Sequence, residues 1–437
     1  MRENVCITII LLLILKVVTC CPNPSVALST QYPWPTFHHD NQNTGYTDGP
    51  APNTNNLLWE YYVYGSPIWS SPAVADGLVF TGFGDGKFYA LNAISGKLIW
   101  SYSPPHVNEF SSPSVADGIV FVGSTGGVFY ALNEFTGELI WKFTIGSPFR
   151  EAPKIAYGKV FTRAENGIIY ALDEFTGGSI WSFNTGASIV SFSSPCIAGG
   201  VIYVGSWDHN LYALDVNTGN KIWSFTAGGR VGPPTVVNNV VYFSSNDGYV
   251  YALDAATGSE IWRALTGQVS ETALAVADGR VYVNERCIVY ALDANTGAEI
   301  WNFRLSYEPC ASGPAVADGK LFVGSGDGYL YALDEASGSL VWKYFTGEDY
   351  PIDSSPAVAD GVVYIGAFRA IYAFGSITTI ITTTRTETTI TTGILPKYFV
   401  GGELYPANNF AVLVPYIALI GLAAAAVAVK KWKHQTP

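Results

Sequence analysis

At 437 residues, with 13% of them charged and 49% apolar, the chain has room for two or three ordinary domains or one large repeat array. Its formal net charge is −12, and no Lys/Arg cluster occurs before the last few residues. That balance argues against nucleic acid or an anionic lipid surface as partner, since polyanions are held by clustered basic side chains.

The chain opens with Arg2 and the apolar run Val5 to Leu15, too short to span a bilayer and suited to a signal-peptide core. Ser25-Val26-Ala27 is a small-x-small cleavage site, so residues 1–27 read as a signal peptide. Cys20 and Cys21 leave open a lipid-modified cysteine, a pattern that Val17 and Thr19 fit poorly. Residues 28–56 are a lead-in segment. Its His38-His39-Asp40 run has metal-ligand residue types but reads as a surface stretch docked on the fold.

From residue 57 to 375 the chain repeats itself. "YALDANTGAEIW" (Tyr290 to Trp301) returns as "YALDAATGSEIW" from Tyr251 and "YALDVNTGNKIW" from Tyr212. Eight tryptophans mark the units: Trp59, Trp100, Trp141, Trp181, Trp223, Trp262, Trp301 and Trp342, spaced 39–42 residues apart. Each unit reads as four short strands rich in β-branched and aromatic residues and separated by Asp-Gly or Thr-Gly turns. The strand runs are apolar on both faces, as in sheets stacked face to face around an axis. Trp59 has no Tyr-Ala-Leu before it, and Ile371 to Gly375 has its Tyr-Ala but no Trp after it. Each fragment supplies what the other lacks, so a strand near Leu57 to Val63 is expected to complete the last sheet. The predicted fold is all-β: an eight-bladed β-propeller of four-stranded antiparallel blades, its ring closed by an N-terminal strand.

Residues 376–407, beginning with the Thr/Ile-rich Ser376 to Gly393, read as an extended stalk. Residues 408–430 contain twenty uncharged positions, Phe410 to Val429, long enough for a hydrocarbon core of about 30 Å, and read as a transmembrane helix. The basic run Lys430 to His434 places the tail, residues 431–437, in the cytoplasm and the propeller on the extracytoplasmic side of a cell membrane.

The phrase Ala-Leu-Asp-x-x-Thr-Gly-x-x-x-Trp resembles the tryptophan-docking motif of quinoprotein-like eight-bladed propellers. That family includes PQQ-dependent alcohol dehydrogenases and the propeller lipoprotein of the bacterial outer-membrane-protein assembly machinery. Trp34 to Tyr46 is similar to the lead-in of secreted PQQ-repeat proteins, many of them archaeal. The resemblance spans roughly Trp34 to Gly375 and implies the fold far more specifically than an activity. For the enzymes it implies a disulfide between adjacent cysteines, Ca²⁺ ligands and a catalytic Asp over the quinone. The one adjacent pair here, Cys20-Cys21, lies in the signal peptide. No catalytic residue, metal ligand or cofactor site is therefore carried over, and PQQ with Ca²⁺ stays the alternative.

Positions where one unit departs from the rest are the candidate site. Just before the inner strands these are Trp69, Arg150, Glu271 and Asp353; on the hairpins of the second and third strands they are Arg163, Glu165, Trp207, Asp208, His209, Glu285, Arg286 and Arg369. Propeller geometry puts both sets on one face, around one mouth of the central channel. The eight repeat tryptophans are structural. Cys287 and Cys310, on neighbouring blades of that face, are expected to form a disulfide, and Cys196, at a small inner-strand position, to be a buried free thiol. The function expected is a membrane-anchored scaffold binding a protein, peptide or glycan, without catalysis of its own. The alternative is a PQQ-dependent oxidoreductase, and a third reading is a purely structural envelope component.

Overall fold

The computed structural model describes residues 30–376, apart from 188–192, 268–271, 287, 307–311 and 348–349, together with strands Lys397–Val400 and Glu403–Pro406. The expected signal peptide, transmembrane span, most of the stalk, Glu271 and the Cys287/Cys310 pair lie outside these residues. Among the described residues no helix is long and apolar enough to cross a membrane.

Eight four-stranded antiparallel sheets form the propeller. In blade 1 the strands, A to D from the axis outward, are Ala73–Ala75, Leu78–Gly82, Phe88–Asn92 and Leu98–Tyr102. The last blade has Ala357–Ala359, Val362–Ala367 and Ala370–Phe374, and its outer strand is Leu57–Tyr62 from the other end of the propeller. Trp59 pairs with Ala373 and Glu60 with Tyr372, so the ring is closed as the complementary fragments predict. Closure leaves no blade open along a long unpaired edge between first and last units.

The tryptophans join blade to blade. Each indole N–H donates to a backbone carbonyl across the seam: Trp59 to Ala93 at 2.9 Å, Trp100 to Glu134 at 2.8 Å, Trp141 to Glu174 at 2.8 Å, and so on to Trp342, which reaches Pro52 at 3.3 Å. In seven of the eight, Trp342 excepted, the ring lies on the Thr-Gly or Ser-Gly turn of the next blade. A Cβ on Gly137 (φ 71°) would sit 2.6 Å from the Trp100 ring, so glycine is required there for both backbone and contact. Within a blade the small partner is alanine, for example Ala131 directly across from Trp141.

The segment 384–437 forms a separate unit. In it Lys397–Val400 pairs antiparallel with Glu403–Pro406, where an extended stalk was expected. The two strands flank Gly401-Gly402 in the sequence, a pair favoured in two-residue hairpins.

Candidate functional site

The A–B and C–D turns lie on one face of the ring; the D–A connections and B–C hairpins lie on the other. The lead-in enters from the first face and fills the axis. It is not the surface stretch that the sequence suggested. Trp34, 1% exposed, exchanges two backbone hydrogen bonds with Val74 of blade 1. The carbonyls of Pro35, Asn41, Gln42, Thr44 and Gly45 then accept from Val115, Ile197, Val236, Val276 and Val316, on blades 2, 4, 5, 6 and 7. The Asn41 side chain donates to the Ile155 carbonyl of blade 3 at 2.7 Å, and Asp360 of blade 8 accepts from the Tyr32 amide at 2.8 Å. One short segment thus touches all eight blades. Tyr46–Thr47 even adds a parallel fifth strand to the sheet of Ala315–Ala317.

The plug works because the inner strands end in free backbone groups at the axis, and an irregular chain rich in Asn, Thr and Asp can satisfy them. Lys154 replaces the Ala, Ser, Cys or Thr of other A strands. Its buried ammonium donates to the carbonyls of Phe37 and Asp40, both at 2.7 Å. Asn43 bridges the Pro195 and Pro234 carbonyls. His38 is 2% exposed. Burial, reinforced by the Lys154 charge, pushes it down to about 3, so it is neutral. Cys196 is a buried free thiol beside this cluster.

The opposite mouth carries the described candidate residues, and they fall into unlike environments. Trp69 is 41% exposed at the edge of a 210 Å³ pocket shared with Glu109, Phe110 and Arg150. Arg150 is clamped between Glu109 (2.7 Å) and Glu165 (2.5 Å), so this corner carries a net negative charge. The guanidinium of Arg230 stacks 3.7 Å above the Trp207 ring, and that of Arg369 lies 4.3 Å from Phe368. Tyr350 stacks on the other partner of this group, Phe368, at 4.1 Å. Phe368 has φ 46° and Arg286 φ 40°, conformations that cost a bulky residue energy and accumulate at functional sites. His209 is exposed, also left-handed at φ 72°. Asp353 is half-buried, and burial pushes its carboxyl up.

Three candidates are corrected. Asp208 accepts from the Tyr212 hydroxyl, as Asp85, Asp247 and Asp327 do from Tyr89, Tyr251 and Tyr331, so it is a repeating hairpin clip rather than a departure. Arg163 and Glu285 are buried, 1% and 0% exposed, not solvated rim charges. In blades 2, 7 and 8 the Ser111, Ser312 and Ser354 hydroxyls accept from the amides of Gly123, Gly324 and Gly366. Blade 3 has Glu151 and Arg163 at these two positions. They face each other at 3.8 Å, and Arg163 also donates to the Gly205 carbonyl of blade 4. Sequence reasoning missed Glu151, Lys154 and Glu109; comparing Glu151 with the serines of the other units would have found it.

Glu285 is bonded through one carboxylate oxygen to Thr266 Oγ1 at 2.8 Å, and its other oxygen has no partner. Burial is the main cause that pushes its carboxyl up to about 8. The folded state therefore holds this proton more tightly than the unfolded chain, and the stability it contributes is lost as pH rises from about 4.5 to about 8. Glu285→Gln is expected to flatten that decline and to exceed the parent by roughly 3 kcal/mol at pH 9. Urea midpoints across this range test it; parallel pH profiles for the two proteins would contradict it.

The family model described as outer membrane protein assembly factor BamB matches residues 108–245, 208–286 and 285–387, well over half of the chain. The chain belongs to the BamB family. Its fold is similar to BamB from Moraxella catarrhalis (20% identity, TM-score 0.64, covering 74% of this chain and 98% of that one). It is also similar to the quinohemoprotein alcohol dehydrogenase from Comamonas testosteroni (16%, 0.67, 80% and 81%) and to a europium-containing methanol dehydrogenase (14%, 0.68, 80% and 99%). These identities establish the fold alone. No curated protein matches the sequence. In this BamB-family chain the inner-strand part of the axis is packed with Trp34, His38, Asn43 and Lys154. Among the described residues no three His, Cys, Asp or Glu side chains form a group that could hold a metal ion.

Proposed function

We propose that this chain is a binding or assembly scaffold that receives a protein, peptide or glycan at the mouth lined by Trp69, Arg150, Glu165, Trp207 and Arg369, and that a C-terminal span in residues 408–430 anchors it to a cell membrane with the propeller outside. The observation that carries the reading is the division of the ring into two unlike ends. One end of the axis is filled by the chain's own segment, whereas the other presents exposed aromatic rings, stacked guanidinium groups and a clamped ion pair. Aromatic and Arg side chains are what interface hot spots use most. Membership of a family described by an assembly factor supports a protein partner first. The alternative, a PQQ-dependent oxidoreductase, shares the fold but has to find its cofactor space above a filled axis.

Capture of a partner from solubilised membranes tests this. Trp69→Ala and Arg150→Ala are each expected to reduce capture at least tenfold, consistent with about 1.4 kcal/mol or more at a hot spot. Tyr157→Ala, at an exposed turn on the plugged face, is expected to leave capture unchanged. Dye reduction with alcohols or sugars after adding PQQ and Ca²⁺ would favour the enzyme instead.

A further inference from the structure

The seams between blades hold a second pattern. At the 6/7 seam Glu335 of blade 7 is satisfied from blade 6: the Tyr282 hydroxyl donates to its carboxylate at 2.9 Å and Arg280 lies 3.8 Å away, beside Asp278. Seams 1/2 and 2/3 have the same two acids, Asp76 facing Glu134 and Asp117 facing Glu174. There the tyrosine position is Phe80 or Phe121, and the arginine position is Leu78 or Ile119. Both donors are gone while both acids remain. Glu134 is 0% exposed and neither carboxylate oxygen has a partner; Glu174 is 3% exposed, with Oε1 unpartnered and a side-chain hydrogen bond to Asp117, which between two carboxyl groups takes a shared proton. The outer acids, Asp76 and Asp117, are exposed at the lip of each seam.

A buried carboxylate without a donor, facing a second acid, is costly unless a positive charge joins the two. A proton answers this poorly at Glu134, which feels Asp76 only through space and offers the proton no acceptor. A hard cation takes lone pairs from both acids and completes its shell with water, entering past the exposed aspartate. We propose that the Asp76–Glu134 pair binds a divalent cation, Ca²⁺ or Mg²⁺, that clips blade 1 to blade 2 where Arg280 joins blades at the 6/7 seam, whereas Asp117–Glu174 is joined by its shared proton. Burial first, and the facing carboxylate second, push Glu134 up to about 7, which is the strain a cation relieves.

The test uses the full chain stripped with EDTA at pH 7.5 and titrated with CaCl₂ or MgCl₂, followed by calorimetry and thermal melting. One cation per chain and a rise in Tm of several degrees are expected. Glu134→Gln should remove it, melt higher than the parent in EDTA and ignore added Ca²⁺, whereas Glu174→Gln should leave the cation response unchanged. Leu78→Arg, which restores the missing partner at the 1/2 seam, should have the same effect as Glu134→Gln. A parent whose Tm ignores both cations but rises as pH falls from 7.5 to 5.5 would show a shared proton and overturn the proposal. An undiminished cation response in Glu134→Gln would overturn it equally.

Discussion

A chain that begins at residue 49 is expected to melt roughly 15 °C or more below the full chain. The lead-in contributes at least seven backbone hydrogen bonds to the inner strands, each worth about 1 kcal/mol net, and leaves their partners unsatisfied when removed. Trp34, 1% exposed, adds a further 3–5 kcal/mol by the cost of truncating a buried tryptophan. The sum, about 10 kcal/mol, is comparable with the whole stability of an ordinary domain, and for a ring of this size each kcal/mol corresponds to about 2 °C. Trp34→Ala alone should account for a third to a half of it. Acid should act in the same direction: His38 is held neutral in the fold at about 3, so the unfolded chain takes up its proton first, and the stability this segment gives is lost as pH falls from about 6.5 toward 3. Truncated and full chains melting within a few degrees of each other would show that the plug is a passenger.

The second large effect is expected at Glu151 and Arg163. Arg163→Ala should cost about 3–5 kcal/mol, because Glu151 is then a buried carboxylate with no opposing charge. Burial already pushes Glu151 up to about 7 despite the arginine, so the pair is a strained arrangement. Arg163 has two nitrogens, Nε and Nη2, without partners. The double variant Glu151→Ser with Arg163→Gly recreates the bond from the Gly amide to the Ser hydroxyl of blades 2, 7 and 8 and should recover most of the loss, a coupling of several kcal/mol in a double-mutant cycle whose singles are Glu151→Ser and Arg163→Gly. Additive costs would mean that the two residues do not act as a pair.

The blades were legible in the sequence because a tryptophan every 39–42 residues and, for seven of the eight, the Gly it lies on are demanded by the same seam contact. Ring closure was legible because Leu57–Tyr62 and Ala370–Phe374 are halves of one repeat. The plug was not. It has no period, and its partners are distant in the chain: Asn43 and the Pro234 carbonyl it binds are 191 residues apart. Self-comparison picked out Arg163 and Glu285 correctly as departures but misjudged their surroundings, since charge in a hairpin says nothing about which side of the strand it faces. Asp208 was misjudged for the opposite reason: its tyrosine partner four residues on is part of the repeat, and only the 2.5 Å contact reveals the clip.

The claim on which the rest depends is that one non-repeating segment ties every blade to the axis. Hydrogen exchange at the amides of Val115, Ile197, Val236, Val276 and Val316 tests it most directly, because each donates to a different lead-in carbonyl. In the full chain these amides on five blades should exchange slowly as one protected group, and Trp34→Ala should speed all five together. Fast exchange in the parent, or acceleration confined to Val115 on the blade nearest the substitution, would contradict the account.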